Sequence, residues 1–207
     1  MVYGCYESSL YKYDMMDIKL LLQILGVALG LLYLYLEYRA NIWLWVVGLI
    51  MPVVHGMLYY RSGLYADCAM EVYYILAGVY GLSVWLRRGG KDKESKFAIS
   101  HATTRVLVTA TGIYAVAHVV IYYLLVNFTD STVPVWDSFT TACSVVAYWL
   151  LSRKYVEQWL VWLVVDVVTV GLYFYKDIPL TAMLYAVYSA LAVVGYMRWR
   201  RMARQAE

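Results

Sequence analysis

The stretch VEQWLVWLVVDVVTVGLYFY, residues 156–175, decides the fold class of this chain. After Glu157 it carries a single charged side chain, Asp166, at its centre. An apolar run of about 20 residues is long enough to cross a bilayer as an α-helix. A helix is expected because every backbone polar group in lipid must be hydrogen-bonded within its own segment. Residues 156–175 therefore predict a transmembrane helix with one buried acid.

Similar runs recur along the whole chain. The predicted spans are 18–38, 42–60, 65–86, 104–127, 136–151, 156–175 and 179–198. The chain has 207 residues, of which 63% are hydrophobic and 15% charged, whereas soluble domains have about 45–50% and 25%. Seven spans of about 20 residues use roughly 140 residues. That leaves no room for a soluble catalytic or DNA-binding domain, so we expect one all-α membrane domain over residues 1–207, with the lipid bilayer as its partner and no nucleic acid.

The span 136–151 is the weakest of the seven because it is short and rich in hydroxyl side chains. These are Ser138, Thr140, Thr141 and Ser144. Hydroxyl groups are costly to place against lipid. We therefore predict that this helix is buried between other helices.

The cysteines and the N-terminal segment suggest neither a metal site nor a leader. The three cysteines are widely spaced and form no CxxC pair, so neither a disulfide framework nor a zinc site is expected. No cofactor is predicted. The residues before Ile18 lack the positive start and small-residue cleavage site of a signal peptide. The first apolar stretch is therefore expected to remain as a membrane helix.

The distribution of positive charge predicts the orientation in the membrane. Of the 17 Lys and Arg residues, four lie on the side that holds the N-terminus: Lys12, Lys19, Arg61 and Lys176. The other thirteen lie on the side that holds the segment 87–96 and the C-terminus. Cytoplasmic loops carry the excess of Lys and Arg. We expect the N-terminus outside and the C-terminus in the cytoplasm.

Two stretches of the chain resemble each other, 57–81 and 172–196. At an offset of 115 residues, Tyr60 aligns with Tyr175 and Tyr73 with Tyr188. This predicts two parallel three-helix repeats, 18–86 and 136–198, joined by a linker helix at 104–127. Such triplet repeats occur in transporters that hold their substrate between the repeats.

Two acids inside predicted spans indicate a binding site for an organic cation. Asp166 lies mid-span and Glu71 lies near the outer third of its span; intramembrane charges are costly and usually functional. Trp159, Trp162 and Asp166 are spaced i, i+3, i+7, which places them on one helical stripe. Aromatic faces attract a planar cation and a carboxylate supplies countercharge. The further aromatic candidates are Tyr74, Tyr148 and Tyr188.

Each candidate also has a purely structural interpretation. Trp159 and Trp162 lie near a membrane interface, where tryptophans are common. Asp166 could satisfy hydroxyl groups or a histidine on a neighbouring helix. Glu71 is close enough to the outer surface to be solvated. The sequence leaves these alternatives open.

At these residues the chain resembles the PnuC family of bacterial vitamin transporters. The likeness rests on YRSGLYADCAMEVYYILAGVYG from Tyr60, on DSFTTACSVVAYWLLSRKYVEQWLVWLVVDVV from Asp137, and on LYFYKDIPLTAMLYAVYSALAVVGYMRWRR from Leu172. The resemblance implies a SWEET-like fold in the bacterial inner membrane, with three helices, a linker helix and three more, assembled as a homotrimer. It implies a carrier for nicotinamide riboside or, in one branch, thiamine. Trp159, Trp162 and Asp166 match the family's WxxWxxxN/D element.

Glu71 departs from the family pattern, because it corresponds to a substrate-contacting glutamine in riboside carriers. With Asp166 it gives two carboxylates, and these suit the aminopyrimidine of thiamine, so thiamine is favoured over nicotinamide riboside. No GxxxxGK phosphate loop occurs. We expect facilitated diffusion, with trapping by a cytosolic kinase as the resemblance implies.

Two other classes of function are alternatives to a carrier. An intramembrane enzyme could use Asp166 and Glu71 as an acid pair, but no nucleophile–base set accompanies them, so no catalytic residue and no enzymatic activity are predicted. A receptor or structural membrane subunit is the third class. ATP-independent uptake into empty liposomes would distinguish the carrier from both.

Overall fold

The structure is a computed structural model that describes residues 25, 28–61, 65–89, 98–129, 131–175 and 179–206. In these ranges the chain forms seven α-helices and no strand longer than an isolated bridge. The helices are α1 (28–38), α2 (Trp43–Arg61), α3 (Tyr65–Gly89), α4 (Thr104–Phe128), α5 (Pro134–Ser152), α6 (Gln158–Tyr175) and α7 (Pro179–Ala206). The prediction of an all-α chain with seven helices is confirmed.

Helices α2 to α6 follow the predicted spans closely, and α7 shows one large difference at its C-terminus. In the first predicted span, 18–38, residues 18–24, 26 and 27 lie outside the described residues. Helix α7 continues to Ala206, whereas the predicted span ends at residue 198. The arginines after this point end the part that can lie in lipid, but they are good helix formers and do not end the helix. Trp199 and Ala203 on this extension are buried, with 0% and 1% exposure. The extra turns therefore belong to the packed structure.

The chain divides into two compact units, Met1–Ile75 and Leu76–Glu207. The first contains α1, α2 and the beginning of α3. The second contains the rest of α3 and helices α4 to α7. Within the second unit, α4 packs against α5, α5 against α6, and α6 against α7. Helix α6 therefore contacts α5 and α7, and no contact between α5 and α7 is found in the described residues.

Helix α5 is the most buried helix of the second unit. Its buried residues include Ala142, Ala147, Leu150 and Leu151, and Leu150 packs with Val146 and Ala110 in one apolar cluster. The hydroxyl groups on this helix bond to its own backbone, as Ser144 Oγ does to Thr140 O at 2.9 Å. Such bonds satisfy a hydroxyl without a partner on another helix. The prediction that this hydroxyl-rich helix is buried is confirmed.

Helix α4, in contrast to α5, is largely exposed. Most of its exposed side chains are apolar, with Val108, Val116 and Val119 between 66% and 68% exposed. Soluble proteins rarely expose so many contiguous apolar side chains, and a helix that faces lipid requires them. Among the described residues, α4 and α6 are long and apolar enough to cross a membrane by length and composition alone.

The turn between α5 and α6 is fixed against the segment that precedes α4. Ser100 forms a parallel bridge with Tyr155, and its N–H donates to Lys154 O at 3.2 Å while its carbonyl accepts from Val156 N at 3.1 Å. Lys154 has φ of 59°, and its Nζ lies 4.4 Å from the centre of the Trp85 ring. Burial lowers the pKa of Lys154, and the ring face partly compensates the ammonium group for lost water.

A second set of bonds holds the residue that precedes α6. The two Glu157 carboxylate oxygens lie 2.8 Å from His101 Nδ1 and 2.8 Å from the backbone N–H of Ala102. A carboxylate that binds two groups in this way restricts its own backbone as well as theirs. The start of α6, and hence the face that α6 presents to α5 and α7, is fixed from outside the membrane region.

Candidate functional site

The buried face of α6 carries an unusual share of polar and aromatic side chains. Gln158, Trp159, Asp166 and Thr169 are all buried, with exposures from 0% to 9%, and Trp162 is half-buried. Residues four apart on a helix are offset by only about 40°, and residues three apart by about 60° in the other direction. These side chains therefore form one stripe. The predicted stripe of two indoles and one carboxylate exists, and it is longer and more polar than predicted.

Trp159 is enclosed by helix α7. A Cβ atom added at Gly195 would lie 2.7 Å from three atoms of the Trp159 ring, so the indole lies directly on the α7 backbone. The Trp199 ring contacts the same indole edge-to-face, with centroids 5.9 Å apart and planes at 83°. Trp159 is 2% exposed. Its position is therefore set by packing between α6 and α7.

Trp162 has a different environment. Its ring meets the Tyr148 ring of α5 edge-to-face, with centroids 5.5 Å apart and planes at 83°. This contact leaves the indole half-buried. Of the two tryptophans, Trp162 is the one with ring surface not covered by protein. Tyr148 and Trp162 are thus brought together, as a site between α5 and α6 requires.

Asp166 lies one helical turn beyond Trp162 on the same face of α6 and is 7% exposed. Tyr188 of α7 lies within electrostatic reach of its carboxylate. The Tyr188 ring contacts Tyr185 at 5.6 Å, and Tyr185 stacks on Tyr173 of α6 with centroids 5.4 Å apart and planes at 20°. A row of tyrosines therefore follows from Asp166 along α6 and α7. Uncovered tyrosine ring faces attract cations.

Glu71 and Tyr74 lie on α3 in the first unit. Glu71 is 9% exposed, and a Cβ at Gly56 would lie 3.7 Å from the Glu71 Cβ. Helices α2 and α3 therefore approach closely at this acid. Tyr74 contacts Tyr73 edge-to-face at 5.4 Å. The carboxylate is buried, as a membrane binding site requires, and its part in such a site stays a prediction.

Several buried polar atoms on α6 have no hydrogen-bond partner in the described part of the chain. They are Gln158 Nε2 and Oε1, Trp159 Nε1 and Trp162 Nε1. Buried polar groups in native proteins are rarely left unpaired. Sequence reasoning missed Gln158, although its place four residues before Trp162 puts it on the same stripe. It also missed Gly195 and Trp199, for which the sequence carries no signal.

Comparison with known proteins identifies the family. The family model described as "Nicotinamide mononucleotide transporter" matches residues 20–201, which is most of the chain. The chain belongs to this transporter family. Its members are integral membrane proteins, so the chain is a multi-pass membrane transporter, and the resemblance to PnuC-type transporters is confirmed.

Two relatives carry the names of different vitamins. The nicotinamide riboside transporter PnuC of Escherichia coli (strain K12) is 24% identical, over 89% of this chain and 87% of its own length. The riboflavin/roseoflavin transporter RibM of Streptomyces davaonensis is 26% identical, over 87% of this chain and 84% of its own length. The two relatives resemble this chain about equally, at 24% and 26% identity. Identity alone therefore does not fix the substrate.

A solved structure agrees with the fold. The crystal structure of the vitamin B3 transporter PnuC matches with a TM-score of 0.69 and 23% identity, and covers 90% of this chain and 83% of that one. This likeness concerns the fold. The fold of this chain is therefore similar to that of the solved structure.

Proposed function

We propose that this PnuC-family transporter takes up a cationic aromatic vitamin by facilitated diffusion, and that the vitamin is thiamine. The observation that carries this proposal is the cluster of Trp162, Tyr148, Asp166 and Tyr188 on α5, α6 and α7. It combines uncovered indole surface with a buried carboxylate. A thiazolium ring is planar and permanently charged, so it gains from both the ring faces and the acid.

Glu71 supports the choice of thiamine. It is a second buried acid, at the position where the family resemblance implies a glutamine in riboside carriers. A carboxylate accepts a charge-assisted hydrogen bond from the exocyclic amine of an aminopyrimidine, and such a bond is stronger than the one that a neutral amide oxygen accepts. The substitution of acid for amide therefore favours thiamine.

Nicotinamide riboside is the second candidate, and the name of the Escherichia coli relative favours it. Its pyridinium ring is also a planar cation, so the cluster around Asp166 suits it as well. Riboflavin, named for the Streptomyces relative, is planar but uncharged. A site built around the buried Asp166 carboxylate is expected to bind riboflavin more weakly than either cation.

Uptake into empty proteoliposomes tests the proposal. Purified transporter without ATP should accumulate radiolabelled thiamine to equilibrium, nicotinamide riboside less well, and riboflavin least. Asp166→Asn removes the countercharge while it preserves size, and one charge-assisted hydrogen bond is worth about 1.5–3 kcal/mol. We expect this variant to lose thiamine affinity about ten- to a hundredfold. Equal affinity of wild type and Asp166→Asn for thiamine would refute the role of the carboxylate.

In this proposal, the direction of net transport is set by a reaction inside the cell and not by the carrier. A carrier without an energy source only equilibrates its substrate across the membrane. A cytosolic kinase that phosphorylates the vitamin adds negative charge and removes it from the equilibrium. Loss of that kinase should abolish net accumulation in cells but leave liposome uptake unchanged.

The proposed carrier is SWEET-like, with two parallel three-helix repeats around a linker helix, and lies in the bacterial inner membrane as a homotrimer. Its N-terminus is outside and its C-terminus cytoplasmic, because thirteen of 17 Lys and Arg residues lie on the C-terminal side. Cysteines placed at positions 92 and 131 test the orientation, and position 92 is outside the described residues. An impermeant reagent added to intact cells should label position 131 alone; labelling at 92 alone would reverse the orientation. Native mass spectrometry tests the trimer.

A further inference from the structure

Gln158 is the first residue of α6 and one of the most deeply buried polar side chains described. Its exposure is 0%, yet both its amide nitrogen and its amide oxygen lack a hydrogen-bond partner among the described residues. An amide buried without partners opposes folding, because it loses its bonds to water and gains none. The presence of glutamine at this position is therefore not explained by the stability of the folded protein.

The unpaired amide does not stand alone. The Nε1 atoms of Trp159 and Trp162 are also buried and unpaired. These three neighbouring side chains offer N–H donors and one carbonyl acceptor on the first turn and a half of α6. Unsatisfied groups in one place point to a molecule that binds there and satisfies them together.

The position of Gln158 relative to the proposed substrate site is fixed by the helix. Gln158, Trp162 and Asp166 are spaced i, i+4, i+8, so they follow one stripe over about 12 Å at 1.5 Å per residue. Trp162 lies between the carboxylate at one end and the amide at the other. A two-ring vitamin can contact all three groups at once.

We propose that the Gln158 amide is a specificity-determining group that reads an uncharged donor–acceptor edge of the transported vitamin; this rests on the proposed function. A primary amide pairs with an edge that has a hydrogen-bond donor beside an acceptor. The aminopyrimidine of thiamine has this edge, formed by its exocyclic amine and the neighbouring ring nitrogen, on a ring separate from the charged thiazolium. The carboxamide of nicotinamide riboside has it as well. Asp166 recognises the charge, and Gln158 recognises the edge.

The test uses full-length transporter in detergent and two probe pairs. Thiamine is compared with 5-(2-hydroxyethyl)-3,4-dimethylthiazolium, which keeps the charged ring and lacks the pyrimidine. Nicotinamide riboside is compared with the riboside whose carboxamide is replaced by an acetyl group. Dissociation constants are measured by calorimetry or competition for wild type, Gln158→Leu and the matched control Gln205→Leu, in which the glutamine is exposed.

Gln158→Leu should weaken binding of the complete vitamin about tenfold, as expected for the loss of two neutral hydrogen bonds. Binding of the probe without the edge should stay unchanged. The melting temperature of the empty transporter should stay equal or rise, because leucine removes unpaired buried polar groups. Gln205→Leu should change neither property.

Three results would overturn the proposal. Unchanged affinity for the complete vitamin would show that Gln158 does not contact it. Equal weakening of both probes together with a lower melting temperature would show that the amide is structural. If wild type binds neither thiamine nor nicotinamide riboside, the proposed function itself fails. If wild type binds the vitamin and Gln158→Leu binds it equally well, only the role of Gln158 fails.

Discussion

Gly195 determines where the Trp159 indole can lie, and Gly195→Ala is the sharpest perturbation of the α6–α7 contact. The added Cβ would lie 2.7 Å from Cδ2, Cε2 and Cε3 of Trp159, whereas ordinary contact begins at 3.4 Å. The ring would have to retreat by about 0.7 Å. Trp199 already packs against the same indole, so space for this movement is restricted.

The energetic cost can be separated from helix propensity with a matched control. Overpacking a well-packed site costs about 1–3 kcal/mol, while Gly→Ala in a helix interior contributes about 1 kcal/mol in favour of folding. Gly171 on α6 has no atom within 4 Å of an added Cβ, so Gly171→Ala reports propensity alone. The difference between the two variants should be about 1–3 kcal/mol in favour of Gly171→Ala.

The measurements are the melting temperature of the empty transporter and the dissociation constant for its vitamin. Gly195→Ala should lower both stability and affinity relative to Gly171→Ala, because Trp159 is on the stripe that carries Asp166. Adding Trp159→Phe, which is a smaller ring, should recover part of the loss, with a coupling of about 0.5–3 kcal/mol. If Gly195→Ala and Gly171→Ala melt alike and bind alike, the described contact between Trp159 and α7 is incorrect.

Three further predictions concern single side chains. Trp162→Ala should weaken binding of the vitamin strongly and Trp162→Phe less, since a cation–π contact contributes about 0.5–2 kcal/mol. The control is Trp136→Ala at an exposed tryptophan. Equal effects of Trp162→Ala and Trp136→Ala would make both residues membrane anchors. Glu71→Gln should shift the ratio of the two dissociation constants from thiamine toward nicotinamide riboside, and an unmoved ratio would exclude Glu71 as a reader of the substrate. Glu157→Ala removes the bonds of the carboxylate to His101 and to the backbone N–H of Ala102, so hydrogen exchange in residues 98–103 should become faster. Unchanged exchange would show that these bonds do not hold the segment.

The helices of this protein could be predicted from the sequence because the bilayer fixes their length. Each apolar run of about 20 residues spans the hydrocarbon region, and lipid permits no other backbone structure for an isolated run. The hydroxyl groups of α5 predicted its burial because such groups are costly to place against lipid. The end of α7 could not be predicted in this way, since arginine ends a span but continues a helix.

The composition of the stripe on α6 could also be predicted, because spacing along one helix is a local property. Trp159, Trp162 and Asp166 share a face wherever the helix lies. The sequence did not distinguish the two tryptophans. Only the tertiary structure shows that Trp159 rests on Gly195 of α7 while Trp162 keeps uncovered ring surface beside Tyr148 of α5.

The partners of the stripe were decided by tertiary structure. Gly195 and Trp199 are distant from Trp159 in the chain, and their contact depends on how closely two helices approach, which no local pattern encodes. The burial of Gln158 likewise depends on the helices around the start of α6 and on the segment that holds Glu157. The sequence by itself determined the helices and the order of side chains on each, because both follow from the bilayer and the helical repeat. The tertiary structure decided which of those side chains are covered by protein and which remain open, because coverage depends on neighbouring helices.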